Sequence, residues 1–302
     1  MKSILTIILS IFLFSGLTFA QKMNVHTSSG TVAYNLADID SITFSMSSDL
    51  GDLHDPVLEV QFDEDPYNHN MHITSDGSYY YTINGGNSSN GQINKFTLSG
   101  TLVQTYPIQI DGRGLTYNYA DGFLYASLYG GDIVKITSLE SGTWDVVHSG
   151  IMQNSQASFD ISPDGTKFYD FYNGTLEVHN LQTGALETTL TGISSGSGNY
   201  GGDAAVAVDG EYIYTWDSSI KTVYVYSNAG TLVRTMVLSD GDNGHSLSYF
   251  DGYLFVSKDG DYGVGTWYGY NIRLGLGGKI VVNHGAAQPL NSQADRSGDT
   301  TR

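Results

Sequence analysis

Histidine, arginine and aspartate side chains recur at one place in an internal repeat of the sequence. His69 and His245 both stand two residues before the first apolar residue of a short apolar run, and Arg113 holds the same position in a third run. His72 and Asp160 stand one residue after that first apolar residue in their own runs. Side chains at equivalent positions of a repeat can converge on one ligand. The candidate site residues are therefore His69, Asn70, His72, Arg113, Asp160, Asp203 and His245.

Two kinds of chemistry suit these side chains. Neutral imidazole and carboxylate are ordinary ligands of zinc and similar ions, whereas calcium would prefer the oxygens of Asp160, Asp203 and Asn70. The first hypothesis is thus one bound divalent metal, zinc or calcium, with the candidate ligands His69, His72, Asp160, Asp203 and His245.

The second hypothesis is acid–base chemistry without a required metal. A histidine would carry the proton and Arg113 would hold an anionic substrate. A third interpretation is structural, because a histidine at such a position commonly hydrogen-bonds to a neighbouring loop. The sequence leaves the three open.

The repeat that places these residues is marked by five Asp-Gly pairs. Successive pairs are 45, 43, 45 and 42 residues apart, and each precedes a run of apolar and aromatic residues. A second glycine landmark follows about 20 residues later in four of the repeats, at Gly100, Gly142, Gly184 and Gly230. The Asp-Gly pairs begin at Asp76, Asp121, Asp164, Asp209 and Asp251.

Each repeat is predicted to form four short strands. Asp-Gly closes the first hairpin, since both residues tolerate the positive φ of tight turns, and the second glycine closes the third turn. Four strands in about 43 residues is the period of a β-propeller blade; solenoid repeats are usually shorter and sandwiches lack such regular landmarks. The predicted fold is all-β, a propeller of five blades, with six or seven as alternatives.

Ring closure is predicted from one unpaired strand. Residues 58–62 resemble a fourth strand, whereas the fifth repeat has a third strand near residues 266–272 and no clear fourth. Residues 58–62 should therefore complete the last blade. Because the first strand of every blade lines the central channel, the candidate residues should meet at the channel mouth.

The remaining segments divide the chain. Residues 1–20 have the charge, apolar run and small residues of a signal peptide cleaved near Ala20, which predicts a secreted protein, extracellular or periplasmic. A small β module is expected at 21–47, a linker at 48–57, the propeller at 58–273 and a poorly ordered tail at 274–302.

Composition excludes several classes of function. The chain has no cysteine, so disulfides, thiolate metal sites and cysteine nucleophiles are excluded. The net charge of −18 disfavours nucleic acid and anionic membranes, and no segment after the signal peptide predicts membrane insertion. The protein is expected to be a monomer. Its expected partner is a small molecule, a glycan or another protein. The candidate aromatic side chains for stacking against a sugar ring are Tyr129, Tyr172, Trp216 and Trp267.

Three segments carry a family resemblance. RGLTYNYADGFLYASLYGGDIVKI, SFDISPDGTKFYDFYNGTLEVHNLQTG and HSLSYFDGYLFVSKDG resemble the secreted propeller superfamily of NHL, YVTN and WD-like repeats. VHTSSGTVAYNLADIDSITFS resembles a short N-terminal module of Bacteroidetes-type secreted proteins. The superfamily holds lactonases, lyases, quinoprotein enzymes and binding scaffolds, and no full catalytic motif of these enzymes is matched.

The expected function is accordingly a secreted binding or scaffold module with its ligand at the channel mouth. The alternative is a lactonase- or lyase-like enzyme, in a metal-dependent or metal-free form, that uses the same residues.

Overall fold

The computed structural model describes residues 53–64, 69–86, 88–194 and 204–273, and the strands at 22–27, 30–35, 39–45 and 279–284. The predicted signal peptide, most of the predicted tail and Asp203 lie outside the described residues. The chain divides into two compact units, Met1–Asp49 with Gly277–Arg302, and Leu50–Leu276.

Among the described residues, the smaller unit has two antiparallel strand pairs. β1 (Lys22–Thr27) pairs with β2 (Gly30–Asn35), and β3 (Ile39–Ser45) pairs with β24 (Lys279–His284). A strand from the N-terminal segment thus pairs with one from the C-terminal segment.

The larger unit is a β-propeller of five four-stranded antiparallel blades, as the repeat predicts. Blade 1 also carries a single 3₁₀ turn, Ser88–Asn90. Blades 1 and 2 consist of β5 (His69–Ser75), β6 (Tyr79–Gly85), β7 (Gln92–Thr97) and β8 (Leu102–Pro107), and of β9 (Gly112–Asn118), β10 (Phe123–Leu128), β11 (Ile133–Ser138) and β12 (Thr143–His148). Blades 3 and 4 consist of β13 (Phe159–Ile161), β14 (Lys167–Tyr172), β15 (Thr175–Asn180) and β16 (Leu186–Thr191), and of β17 (Val206–Val208), β18 (Tyr212–Asp217), β19 (Thr222–Ser227) and β20 (Leu232–Val237). Blade 5 consists of β21 (Ser248–Phe250), β22 (Tyr253–Lys258), β23 (Gly265–Arg273) and β4 (Leu53–Glu64).

The ring is closed by a strand from the beginning of the propeller sequence. β4 pairs with β23 as the fourth strand of blade 5, with Phe62 opposite Trp267 and Glu64 opposite Gly265. The prediction that residues 58–62 complete the last blade is confirmed, and the strand is longer than predicted. Closure in this way leaves no blade with a missing strand.

The Asp-Gly turns close the first hairpin of each blade, as predicted. The role of the aspartate differs from the prediction, which was tolerance of positive φ. All five glycines have positive φ, between 72° and 91°, whereas only Asp251 of the five aspartates does, at 54°. The side chain of Asp76 instead accepts hydrogen bonds from the backbone N–H groups of Ser78 and Tyr79. Its other oxygen accepts one from the Tyr81 hydroxyl at 3.0 Å. Local hydrogen bonding, not tolerance of positive φ, explains most of these aspartates.

Between each pair of neighbouring blades lies a cluster of buried apolar side chains. Ile83 of blade 1 packs with Leu115 of blade 2, and Trp216 of blade 4 packs with Leu254 of blade 5. The alternation of the strands supplies these two-sided blade surfaces. Within the described residues no helix is long and apolar enough to cross a membrane.

Candidate functional site at the channel mouth

The first strands of the blades form a ring around the channel. β5, β9, β13, β17 and β21 contact one another in this order, and β21 contacts β5 again. Within each blade the second strand returns antiparallel, so His69 at the start of β5 lies opposite Gly85 at the end of β6. The channel mouth is therefore built from two sets of loops, those before each first strand and those after each second strand.

His69 lies at this mouth beside the loop between β22 and β23. Its Nδ1 is 2.7 Å from Oδ2 of Asp259, and the two side chains are 21% and 27% exposed. The ring of Tyr262 approaches edge-on, with the ring centres 4.9 Å apart. Tyr262 itself is 61% exposed. The imidazole is thus held by a carboxylate on one side and bordered by an exposed aromatic ring on the other.

Arg113 lies at the equivalent position of blade 2 and is 6% exposed. Its guanidinium donates to Asp111 at 2.5 Å through Nη1 and to the side-chain oxygen of Gln156 at 2.6 Å through Nε. The ring of Tyr129 lies 5.2 Å from the guanidinium carbon. Arg113 therefore joins the loops that precede blades 2 and 3.

His245, the equivalent residue of blade 5, is buried in the same group. Burial, and next the charge of Arg113, lower the pKa of His245 to about 4, while the Gln156 backbone and the charge of Asp259 act in the opposite direction. His245 is consequently neutral at neutral pH. We call His69, Arg113, Gln156, His245 and Asp259 the mouth cluster; four blades contribute to it.

His72 lies one step further into the channel and contacts three blades. Its ring nitrogens Nδ1 and Nε2 are 2.8 and 2.9 Å from the carbonyl oxygens of Leu115 and Leu247. The hydroxyl of Ser248 lies 3.1 Å from Nδ1. Burial lowers the pKa of His72 to about 4 in spite of the two carbonyl groups. The neutral ring has one N–H, so one nitrogen donates to a carbonyl oxygen while Nδ1 can accept from the Ser248 hydroxyl, and His72 thereby ties β5 to β21.

Asp160, at the same level, links blades 2, 3 and 4. One carboxylate oxygen accepts from the Thr116 hydroxyl at 3.0 Å and from its neighbour Ile161 N–H at 2.8 Å. The other accepts from the Val208 N–H at 2.8 Å. Burial raises the pKa of Asp160 to about 7, against the effect of these donors.

Asn70 lies between the closing strand and the loop that carries Asp259, and its side-chain oxygen accepts from the Gly260 N–H at 3.4 Å. Its amide nitrogen donates to Glu64 at 3.0 Å, and its backbone oxygen accepts from the Asn243 side chain. Glu64 also accepts from Thr82, from Asn94 at 2.8 Å and from the Trp267 indole at 2.5 Å. Burial raises the pKa of this carboxyl, and the four donors oppose that effect.

The structure thus brings together three of the seven candidate residues, His69, Arg113 and His245. His72, Asp160 and Asn70 hold strands to one another, and Asp203 lies outside the described residues. Over the described part of the chain, no group of three or more histidine and acidic side chains is placed to hold one metal ion. The nitrogen atoms of His72 and the oxygen atoms of Asp160, with which these residues would bind a metal, already contact polar groups of the protein.

Two residues of the mouth cluster, Asp259 and Gln156, were missed by sequence reasoning. Asp259 belongs to an Asp-Gly-Asp segment that looks like a simple turn, and Asp261 N–H does bond to its side chain. Only its position on the loop after a second strand could have signalled that it lies at the mouth. Gln156 precedes the aligned position by one residue, so the alignment passed over it.

Two of the aromatic side chains proposed for a sugar face are buried. Trp216 and Trp267 are 0% exposed, and each indole N–H has a partner, the Asn243 carbonyl for Trp216 and Glu64 for Trp267. The prediction was wrong for these two because both belong to the clusters between blades. Tyr129, in contrast, is 56% exposed.

Comparison with known proteins gives a fold and no family. No protein-family model and no curated protein matches the sequence. Among solved structures, glutaminyl cyclase of Myxococcus xanthus is similar with a TM-score of 0.50 and 12% identity, over 72% of this chain and 97% of that one. Hydrazine synthase of Kuenenia stuttgartiensis has a TM-score of 0.38 and 17% identity, over 62% of this chain and 55% of that one.

A third similar structure, AztD of Citrobacter koseri, has a TM-score of 0.35 and 12% identity, over 56% of this chain and 47% of that one. The chain therefore spans about half the length of the second and third structures. At these identities the likeness shows the propeller fold alone.

Proposed function

We propose that the protein is a secreted binding module that takes a neutral glycan at the channel mouth. The observation that carries the proposal is a pair of exposed tyrosines at a polar cluster: Tyr262 borders His69, and Tyr129 borders Arg113. Sugar rings are recognised by aromatic faces together with planar hydrogen-bonding groups. Imidazole, guanidinium, amide and carboxylate groups all occur in the mouth cluster.

The charges at the mouth support a neutral ligand. Arg113 is paired with Asp111, and His69 with Asp259, so each basic group already has a carboxylate beside it. The whole chain carries a net charge of −18, which opposes the approach of a polyanion. A ligand rich in hydroxyl groups can instead donate to the carboxylates.

The backbone at Tyr262 also supports a role in recognition. Asp261 and Tyr262 have φ of 43° and 67°, a left-handed conformation that is costly for residues other than glycine. Two such residues in succession hold an aromatic side chain out of the loop, where it is 61% exposed. Strain of this kind is characteristic of ligand-binding loops.

The test is a binding measurement on the purified chain without residues 1–20. Neutral oligosaccharides are screened by isothermal titration calorimetry, and Tyr262→Ala is compared with Tyr119→Ala. Tyr119 is also 52% exposed but precedes an Asp-Gly turn, at the other end of the channel. We expect Tyr262→Ala to weaken binding at least 10-fold and Tyr119→Ala to leave it unchanged. Equal affinities in both variants, or no binding of any neutral glycan, would refute the proposal.

A further inference from the structure

The contact between His69 and Asp259 has the geometry of a base and its orienting group. The residues are 190 positions apart in the chain, and Nδ1 of His69 lies 2.7 Å from Oδ2 of Asp259. A carboxylate at this distance places the imidazole hydrogen on Nδ1, so that Nε2 carries the lone pair. Because both side chains are partly exposed, a bound molecule can reach the ring.

The space beside Nε2 is kept open by a glycine. A β-carbon at Gly86 would lie 2.8 Å from Cδ2 and 3.6 Å from Nε2 of His69, and 3.7 Å from the Tyr262 hydroxyl. Gly86 has a φ of 93°, and its N–H donates to Asp111 at 2.8 Å. Within the described residues no protein group hydrogen-bonds to Nε2. This nitrogen therefore faces a space bordered by Gly86 and Tyr262.

A cationic group lies in the same cluster. A β-carbon at Gly85 would lie 2.2 Å from Nη1 of Arg113, and one at the next residue, Gly86, would lie 2.8 Å from Cδ2 of His69, so the guanidinium and the imidazole border the same short segment. A base with a free lone pair, an orienting carboxylate and a nearby guanidinium are the parts needed to add water to a carbonyl group.

We propose that His69, positioned by Asp259, is a general base that hydrolyses an O-acetyl ester carried by the glycan at the mouth; this rests on the proposed function. Nε2 takes a proton from a water molecule, and the water oxygen forms a bond to the acyl carbon. The carbonyl electron pair moves to its oxygen, which faces Arg113.

The addition intermediate then collapses and the bond between the acyl carbon and the ester oxygen breaks. The departing sugar oxygen takes the proton from Nε2 of His69, and the carboxylic acid and the free hydroxyl group leave. Water is the only co-reactant. An ester suits the site better than a glycosidic bond, since glycosidases use a pair of carboxyl groups on either side of the bond and Asp259 is engaged by His69.

The experiment measures release of acetate from O-acetylated neutral oligosaccharides. His69→Ala should lower kcat about 100-fold or more, and added imidazole should restore part of the rate. Asp259→Asn should lower kcat with little change in KM, and Asp259→Glu should recover part of the loss. His54→Ala is the control, because His54 lies on β4 away from the mouth and should keep the full rate.

Hydrolysis that is unchanged in His69→Ala, or equally reduced in His54→Ala, would overturn the assignment. Glycan binding without any ester hydrolysis would overturn it as well and leave the binding function standing. Failure of both binding and hydrolysis in the folded wild-type protein would overturn both proposals.

Discussion

The carboxylate of Glu64 accepts a hydrogen bond of 2.5 Å from the indole of Trp267, a residue 203 positions further along the chain. Glu64 ends the strand that closes the ring, and Trp267 lies on its partner strand in blade 5. The same carboxylate accepts from Thr82 and Asn94 in blade 1. One buried group thus fastens the closing strand to the blades on both sides of the closure.

Replacing Glu64 with glutamine should weaken the ring closure. The carboxylate of Glu64 accepts four hydrogen bonds, and the NH₂ group of a glutamine would face some of these donors without being able to accept from them. We therefore expect the free energy of unfolding to fall by about 2–3 kcal/mol. Glu59→Gln, on the same strand but in exposed hydrogen bonds, should cost less than about 1 kcal/mol. Urea unfolding of both variants tests this; equal losses would contradict it.

Arg273 provides a second fastening, between blades 4 and 5. Its guanidinium donates to Asp209, and the side chains of the pair are 1% and 0% exposed. Arg273→Met would leave Asp209 as a buried charge without this partner, which should cost about 3–5 kcal/mol. Arg234→Met is the matched control, because its partner Asp55 is 96% exposed, and should cost about 1 kcal/mol or less. Chemical unfolding distinguishes the two, and similar losses would show that burial does not matter here.

The blade architecture could be predicted from the sequence because it is determined by local chemistry. Each Asp-Gly turn is a short-range signal. The unpaired strand at 58–62 could be assigned to the last blade because that repeat lacked a clear fourth strand. The positions of His69, Arg113 and His245 at one mouth followed from the repeat itself. None of these inferences required knowledge of a loop conformation.

The partners of those residues could not be predicted, because they come from loops far away in sequence. Asp259 reaches His69 across 190 residues, and the conformation of its loop depends on the residues at positive φ, Asp261 and Tyr262. Glu64 was missed for a related reason. A single acidic residue at the end of a strand is typical of an exposed position, and only the ring closure buries it.

Asp170 should make the protein less stable as the pH rises. Its Oδ1 is buried and has no hydrogen-bond partner among the described residues, and burial raises its pKa from 3.8 to about 7. The folded state therefore holds this proton more tightly than the unfolded state. The resulting stability is complete below about pH 4 and is lost as the pH rises to about 7.

Asp170→Asn should remove this loss. At pH 8 we expect the variant to exceed the wild type by about 2–4 kcal/mol in the free energy of unfolding, and near pH 4 the two should be similar. Asp160 acts in the same direction, whereas His72 and His245, with pKa values lowered to about 4, act in the opposite direction. The difference between wild type and variant isolates Asp170, and a variant that is less stable at pH 8 would disprove this.

Substituting Gly86 tests whether the space beside His69 is used. A β-carbon there would come within 2.8 Å of the imidazole, whereas a β-carbon at Gly130 would have no atom within 4 Å. Gly130 lies on the corresponding loop of blade 2 and has a similar φ, 109° against 93°. Alanine at either position pays the same backbone strain, about 1 kcal/mol.

Gly86→Ala should therefore remain folded, lose more stability than Gly130→Ala because the imidazole must shift, and differ from it at the mouth. We expect at least 10-fold weaker glycan binding and slower ester hydrolysis in Gly86→Ala alone, because the imidazole must move away from Asp259 to make room. Calorimetric titration and acetate release on the two variants measure this. If both variants keep the wild-type affinity and rate, His69 does not contact the ligand in the position seen here.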